Sequence, residues 1–306
     1  MSVRLSIALS IAAVVAAAGL LYSLQRDKTF SWQHDQPQDS TAALERAMKV
    51  IASAGGVDTT FVRSLITSPQ TRFDSALVSI IVTNFASKPD YSHNYNAYSV
   101  KQVRQFLINN ATVLAQAEQL YNVPAEAIAA ILWVETKHGR YTGKHHIPSV
   151  YLSVALSAEP DFIERNVERV VTGPGADTLS RDSIRALVER KAEKKVRWAI
   201  SQLQALEHIA KEGTLDVHRL RGSWAGAFGL SQFLPSSYRS WAVDGDADGD
   251  IDLYSTSDAI FSVANYLQKN GWGTTEADQR KAVFHYNNST AYVDAVLRLT
   301  FLAKQP

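Results

Sequence analysis

The sequence predicts an all-α fold. Two observations carry this. From Thr41 onward, apolar residues recur at spacings of three and four, the period of a helix with one buried face. No run alternates apolar and polar residues between hairpin turns, as half-buried strands would. The predicted helices lie, in order, over 42–54, 58–67, 73–86, 99–121, 124–138, 181–211, 257–270, 276–285 and 290–303. Within the third, Leu-Val-Ser-Ile-Ile-Val (77–82) also suits a short strand, but a helix fits its neighbours as well. Pro124 opens the fifth in the first turn, where its missing N–H costs nothing. Gly139 follows its end, where a left-handed residue is wanted. The run Thr-Gly-Pro-Gly-Ala-Asp-Thr-Leu-Ser (172–180) is a loop before the charged sixth helix.

Ahead of the helices, residues 5–24 contain no charge. About 20 apolar residues span a bilayer as a helix, while Ala16-Ala17-Ala18 also suits cleavage of a secretory signal. An anchor and a cleaved signal both remain open, and either places the rest outside the cytoplasm. Arg4 on one side and Arg26 and Lys28 on the other leave orientation open. The expected organisation is a signal or anchor over 1–29, a polar linker over 30–40 and a folded domain over 41–306. With 31 basic and 30 acidic residues, the chain lacks the basic excess of a nucleic-acid binder. It has no cysteine, which excludes disulfides, thiolate metal sites, thiol nucleophiles and a lipoprotein anchor.

Ile128, Ile131, Leu132 and Glu135 fall at i, i+3, i+4 and i+7 of the fifth helix, so a carboxylate projects from an apolar face. Burial raises the pKa of such a group, and a glutamate still protonated at neutral pH can donate to a glycosidic oxygen. The plainer alternative is an ion pair with Lys137 or Arg140. Glu135 and His138 form one E-x-x-H pair, but a di-iron bundle needs a second, and none is present. His145-His146 in a polar loop reads as solvated.

Asp244, Asp246, Asp248, Asp250 and Asp252 alternate, with Gly249 sixth and Ile251 eighth. This is the first two-thirds of an EF-hand calcium loop, with Ser255 where the closing glutamate belongs. Oxygen ligands suit Ca²⁺ and not zinc. A solvated acidic turn is the alternative.

Four blocks then occur in one order: Val-Glu-Thr-Lys-His-Gly-Arg (134–140), Gly-Ser-Trp-Ala-Gly-Ala-Phe-Gly-Leu-Ser-Gln-Phe-Leu-Pro-Ser-Ser-Tyr (222–238), the acidic block 242–272, and Tyr-Asn-Asn-Ser-Thr-Ala-Tyr-Val-Asp-Ala-Val (286–296). Over about 122–296 the chain strongly resembles the membrane-associated lytic murein transglycosylase B family. The resemblance implies a lysozyme-like helical core. It implies cleavage of the β-1,4 bond between N-acetylmuramic acid and N-acetylglucosamine, leaving a 1,6-anhydro end. Glu135 matches the catalytic glutamate, acid first and base second. Ser223 and Gln232 match polar substrate contacts, and Tyr266, Tyr286 and Tyr292 match cleft tyrosines. Asp258 matches a closing aspartate at loop position fifteen, so Asp244, Asp246, Asp248 and Asp258 would bind calcium through side chains, and Asp250 through its carbonyl. The ion's role would be structural, and no organic cofactor is implied. The implied partners are peptidoglycan strands, the inner membrane through residues 5–24 if uncleaved, and other cell-wall proteins, in the periplasm or envelope.

Three positions depart from the family. Glu159-Pro160-Asp161-Phe162 stands where Tyr-Pro-Arg-Arg is usual, so a basic pair is absent there. Ser231 replaces a common proline. Only about a dozen residues separate Trp272 from Tyr286. Three other functions compete: a catalytically idle peptidoglycan-binding scaffold, which needs no acid at 135; a hydrolysing muramidase, which needs a second carboxylate; and a calcium sensor, which would pair two loops.

Overall fold

Short polar side chains cap five of the helix starts. Asp58, Asn96, Ser180, Thr275 and Ser289 each accept a backbone N–H of the turn they open, satisfying a donor with no partner inside the helix. The computed structural model describes residues 37–83, 90–173 and 179–305. These form thirteen α-helices: α1 Pro37–Ala54, α2 Thr59–Thr67, α3 Ser75–Thr83, α4 Ala97–Asn109, α5 Ala111–Tyr121, α6 Ala125–Thr136, α7 Ile147–Val154, α8 Pro160–Val171, α9 Arg181–Glu212, α10 Pro235–Trp241, α11 Thr256–Lys269, α12 Glu276–Tyr286 and α13 Thr290–Lys304. Two two-residue strands, β1 (His145–His146) and β2 (Arg221–Gly222), pair antiparallel, His145 opposite Gly222. The chain is mainly helical, as expected.

The differences from expectation have local causes. The helix expected over 99–121 is two, α4 and α5. Asn110 leaves helical geometry (φ −120°, ψ 23°), and its side-chain amide donates back to the Phe106 carbonyl, the competition that makes asparagine a helix breaker. Residues 77–82 are helical, not a strand. Helix α1 begins at Pro37, inside the segment expected to be linker. Three helices were not anticipated. Helix α7 is buried on every side, so it shows no amphipathic period. Helix α10 has only seven residues. Helix α8 did carry a signal: Pro160 at its start, then Phe162, Ile163, Asn166 and Val167 buried along one face. The expected anchor over 5–24 lies outside the described residues. No helix among the described residues is long and apolar enough to cross a membrane.

Helix α6 is the axis of the fold. Ala127 through Val134 are all buried, so it is apolar on every side rather than along one stripe. It packs against α13, α4, α11 and α5. A helix surrounded in this way is held rigidly, and so is whatever its last turn carries. A smaller apolar cluster (Val82, Ile163, Val167, Ile184, Val188, Ala192) joins the end of α3, α8 and the first half of α9.

Candidate active site

Glu135 occupies the last turn of α6. Directly after it the backbone makes three consecutive left-handed residues, Lys137 (φ 54°), His138 (φ 57°) and Gly139 (φ 86°). The helix therefore ends at Thr136, two residues earlier than expected. Left-handed geometry at a non-glycine residue costs about 1–2 kcal/mol, so both side chains must be held. The Lys137 ammonium donates to the Asn94 side-chain oxygen and, at 3.2 Å, to the Trp133 carbonyl. The His138 ring stacks on Phe106 at 3.9 Å and reaches the Ala129 carbonyl at 3.0 Å. Burial pushes that imidazole down to about 4, so it is neutral at pH 7 and plays a packing part.

The Glu135 side chain is half-buried: protein surrounds it, with a window left to solvent. Burial raises its pKa to about 8, against the opposing pull of the Tyr292 hydrogen bond and Lys137. The Tyr292 hydroxyl donates to Glu135 Oε1 at 2.6 Å, which leaves the second carboxyl oxygen to carry a proton. The ion pair with Lys137 or Arg140 does not form. Lys137 turns to Asn94, and Arg140 donates to the Tyr98 hydroxyl and the Gln102 side-chain oxygen.

Tyrosines line this carboxyl group. Tyr292 and Tyr286 are stacked at 6.4 Å. The edge of Tyr91 meets Tyr292 at 5.5 Å. Tyr286 donates to the Ser231 carbonyl at 2.5 Å. Tyr266 lies one layer behind, edge-on to Tyr286 at 4.7 Å, with its hydroxyl on the His285 carbonyl. Of the five residues matched to substrate contacts, Tyr292 is thus the one on the carboxylate, and Tyr266 faces into packing.

Ser223 and Gln232 bracket the tight loop opposite. The Ser223 hydroxyl lies 3.2 Å from the Ala227 N–H and 3.3 Å from its carbonyl. Gln232 is left-handed (φ 51°), and its amide donates to the carbonyls of Thr142 and Gly229. Thr136, next to Glu135, donates to the Leu230 carbonyl at 2.9 Å, so helix and loop are tied at the carboxylate. The Ser223 hydroxyl and the Gln232 amide nitrogen are on backbone groups and hold the loop's shape.

Sequence reasoning missed three groups. The Tyr91 hydroxyl, the Asn287 amide nitrogen and the Ser231 hydroxyl are buried without hydrogen-bond partners. Tyr91 is within electrostatic reach of Glu135, and its hydroxyl lies near Asn287 without completing a bond to it. Buried polar groups are rarely left unmade. Asn287 follows Tyr286 directly, a neighbour worth flagging; nothing around Tyr91 in the sequence singles it out. His146, read as solvated, is buried instead, between the Ser149 hydroxyl and the His218 carbonyl. Glu159 bonds Arg46 at 3.1 Å, and Phe162 packs on Phe73. The start of α8 is therefore a structural joint.

The acidic loop brings Asp244, Asp246 and Asp258 together, their carboxyl oxygens within 4.8 Å of one another. Asp258 is buried, and desolvation first, then Asp246 and Asp244, push its pKa up. It also accepts the N–H groups of Gly245 and Asp252. Asp244 accepts those of Ala247 and Gly249. Asp248 and Asp250 lie outside the three-carboxylate group.

Residues 40–282 match the transglycosylase SLT domain family. The chain belongs to this family. It is similar to the membrane-bound lytic murein transglycosylase B of Escherichia coli strain K12, 33% identical over 159 residues, which are 52% of this chain and 35% of that protein. The chain thus spans about a third of the length of this curated relative. The lytic transglycosylase SLT35 of Escherichia coli has the same fold, solved with bulgecin A (TM-score 0.63, 21% identity, 85% of this chain, 92% of that one). It was also solved with calcium (TM-score 0.60, 20% identity, 85% and 92%). SltB3 of Pseudomonas aeruginosa, solved with NAG-anhNAM-pentapeptide, is alike too (TM-score 0.61, 21% identity, 86% and 78%). In this SLT-domain chain, Tyr292 lies beyond the matched residues.

Proposed function

We propose that the chain is a peptidoglycan lytic transglycosylase. It cuts the β-1,4 bond from N-acetylmuramic acid to N-acetylglucosamine. The observation that carries this is the half-buried carboxyl group of Glu135, its pKa raised to about 8 by desolvation and its Oε1 hydrogen-bonded by Tyr292. Glu135 gives its proton to the departing glycosidic oxygen while the C1–O4 bond breaks. The substrate's own acetamido oxygen stabilises the positive charge at C1. Glu135, now a carboxylate, takes the proton of the C6 hydroxyl as that oxygen bonds to C1, closing the 1,6-anhydro ring. The group ends protonated, as it began. A hydrolysing glycosidase uses two carboxylates, whereas the hydrogen-bond partner of Glu135 is the Tyr292 hydroxyl. The anhydro sugar bound by SltB3 supports the same reading. The site of action is the periplasm or envelope. Residues 1–29 would be anchor or signal, and residues 5–24 would hold the domain at the inner membrane if uncleaved. Cell-wall proteins are further partners on this reading.

Digestion of purified peptidoglycan, read by mass spectrometry, tests the reaction. The expected products end in 1,6-anhydro-muramic acid. Reducing ends instead would mean a hydrolase, and binding without any product an idle scaffold.

The acidic loop suits a structural Ca²⁺. Asp244, Asp246 and Asp258 converge, and three carboxylates this close repel unless a cation sits among them. Asp248 and the Asp250 carbonyl would complete the oxygen set. The calcium-bound form of SLT35 supports this. Calcium at about a hundred times its dissociation constant would stabilise the fold by about 2.7 kcal/mol. The thermal midpoint should rise with calcium and fall with chelator, and the response should vanish in Asp258→Asn. Equal midpoints in calcium and chelator would mean that the loop holds no ion.

A further inference from the structure

Lys137 stands two residues after Glu135, in a left-handed turn that glycine fills without strain. A lysine there meets two costs. One is the backbone geometry. The other is the partial burial of its ammonium, which pushes its pKa down to about 8. Strain kept beside a reactive group points to a use for it. The ammonium turns inward. It donates to the Asn94 side-chain oxygen and, at 3.2 Å, to the Trp133 carbonyl, and it lies 5.0 Å from the centre of the Trp133 ring. Asn94 is fully buried, in a 3₁₀ turn over Ser92–Tyr95 that packs against α4 and α13. Its amide nitrogen donates to the Tyr91 carbonyl at 3.3 Å. Tyr91 meets Tyr292 edge-on at 5.5 Å, and Tyr292 donates to Glu135 at 2.6 Å. Contacts therefore run from Lys137 through Asn94, Tyr91 and Tyr292 back to Glu135.

The charges around this ring are few. Lys137 is the cation that acts on Glu135, and Glu135 acts on it in return. His93 of the 3₁₀ turn also feels Lys137, and Asp90 in front of that turn is held ionised by Ser92. On the segment that leaves α6, His138 feels both Lys137 and Arg140. Burial keeps the imidazoles of His93 and His138 below their usual range, and the phenols of Tyr91, Tyr286 and Tyr292 above theirs. Glu135 and Lys137 are thus the two groups of this set that titrate near pH 8. At pH 7 the lysine is charged while the glutamate holds its proton. Once Glu135 has given that proton away, a carboxylate faces a cation already in place, and such fixed charge favours the step that creates its opposite.

We propose that Lys137 is a positioning residue for Glu135: through Asn94 it fixes the turn that carries Tyr91 against Tyr292, and its ammonium balances the carboxylate that stands between the two proton transfers. The role rests on the lytic transglycosylase reading. The test measures kcat, KM and the pH profile of kcat/KM on purified peptidoglycan, read as anhydro product, for Lys137→Met, Lys137→Gly and Lys137→Arg. Methionine keeps the length without the charge. Glycine suits the left-handed turn, and so guards against a simple folding defect. In both, the alkaline limb is expected to move up by about one pH unit, because a nearby cation favours the carboxylate. The same free energy corresponds to about a tenfold fall in kcat at pH 7, with KM nearly unchanged. Lys137→Arg keeps the charge and should hold the limb at its original place. A limb that stays put, or moves down, in Lys137→Met and Lys137→Gly overturns the proposal even if kcat falls, since a merely structural lysine would cost activity without moving it. No anhydro product from the unaltered protein overturns the reaction itself, and the role of Lys137 with it.

Discussion

Glu135→Gln is expected to lower turnover of peptidoglycan by about a thousandfold or more, because one group serves as both acid and base. Anhydro ends should disappear, while strand binding persists, since glutamine keeps the size and can accept the Tyr292 hydroxyl. The pH profile of the unaltered protein follows from the same group. Its pKa is raised to about 8, so the acid form dominates at neutral pH. kcat/KM should fall on the alkaline side with an apparent pKa near 8. Lys137, lowered to about 8 by burial, titrates in the same range, so this limb belongs to the pair. The stability effect has a definite sign. A carboxyl whose folded pKa lies above its unfolded value holds its proton more tightly when folded. Its contribution is fully present below the unfolded value and is lost as pH rises through about 8. Glutamine does not titrate, so the variant should be more stable than the parent at neutral pH, by about 3 kcal/mol at pH 7, and equal to it near pH 4. A variant that is inactive and also less stable at pH 8 would mean that Glu135 stabilises the fold as an ion, which a proton-holding buried acid does not do.

The second large effect is expected at Gly143→Ala. Gly143 has φ +91°, and an added Cβ would lie 2.2 Å from the Gly222 carbonyl carbon and oxygen and 2.5 Å from the Ser223 nitrogen. These are backbone atoms of β2 and the following turn, which no side-chain rotation can move aside. Gly213 is a fair control. Its φ is +71°, yet nothing lies within 4 Å of its Cβ position. There alanine meets only the conformational cost, about 1 kcal/mol. At Gly143 the clash adds to it, and a loss of about 3 kcal/mol or more is expected, or a splayed β1–β2 pair. Urea unfolding of both variants checks this. Equal losses at the two glycines would show that the close approach relaxes freely.

The sequence alone was enough to place Glu135 near the end of a helix, because the Ile128, Ile131, Leu132 and Glu135 spacing and the Pro124 and Gly139 boundaries are local signals. It was enough to group the five alternating aspartates, since they sit on one short loop. The family blocks, read in order, pointed to the same chemistry. What local patterns could not supply was the partner of the carboxylate. Glu135 and Tyr292 are 157 residues apart and meet at 2.6 Å, a contact made by packing α13 against α6. Tyr91 is equally remote from any motif, and its unpaired hydroxyl has meaning only beside Glu135 and Asn287. The split at Asn110 and the turn at Lys137 and His138 depend on side chains bonding back to the backbone. Which acid is buried, and so which acid holds its proton, is decided by surroundings drawn from the whole chain. For that reason the candidate catalytic residue was legible in the sequence, and the environment that tunes it was settled only by the tertiary structure.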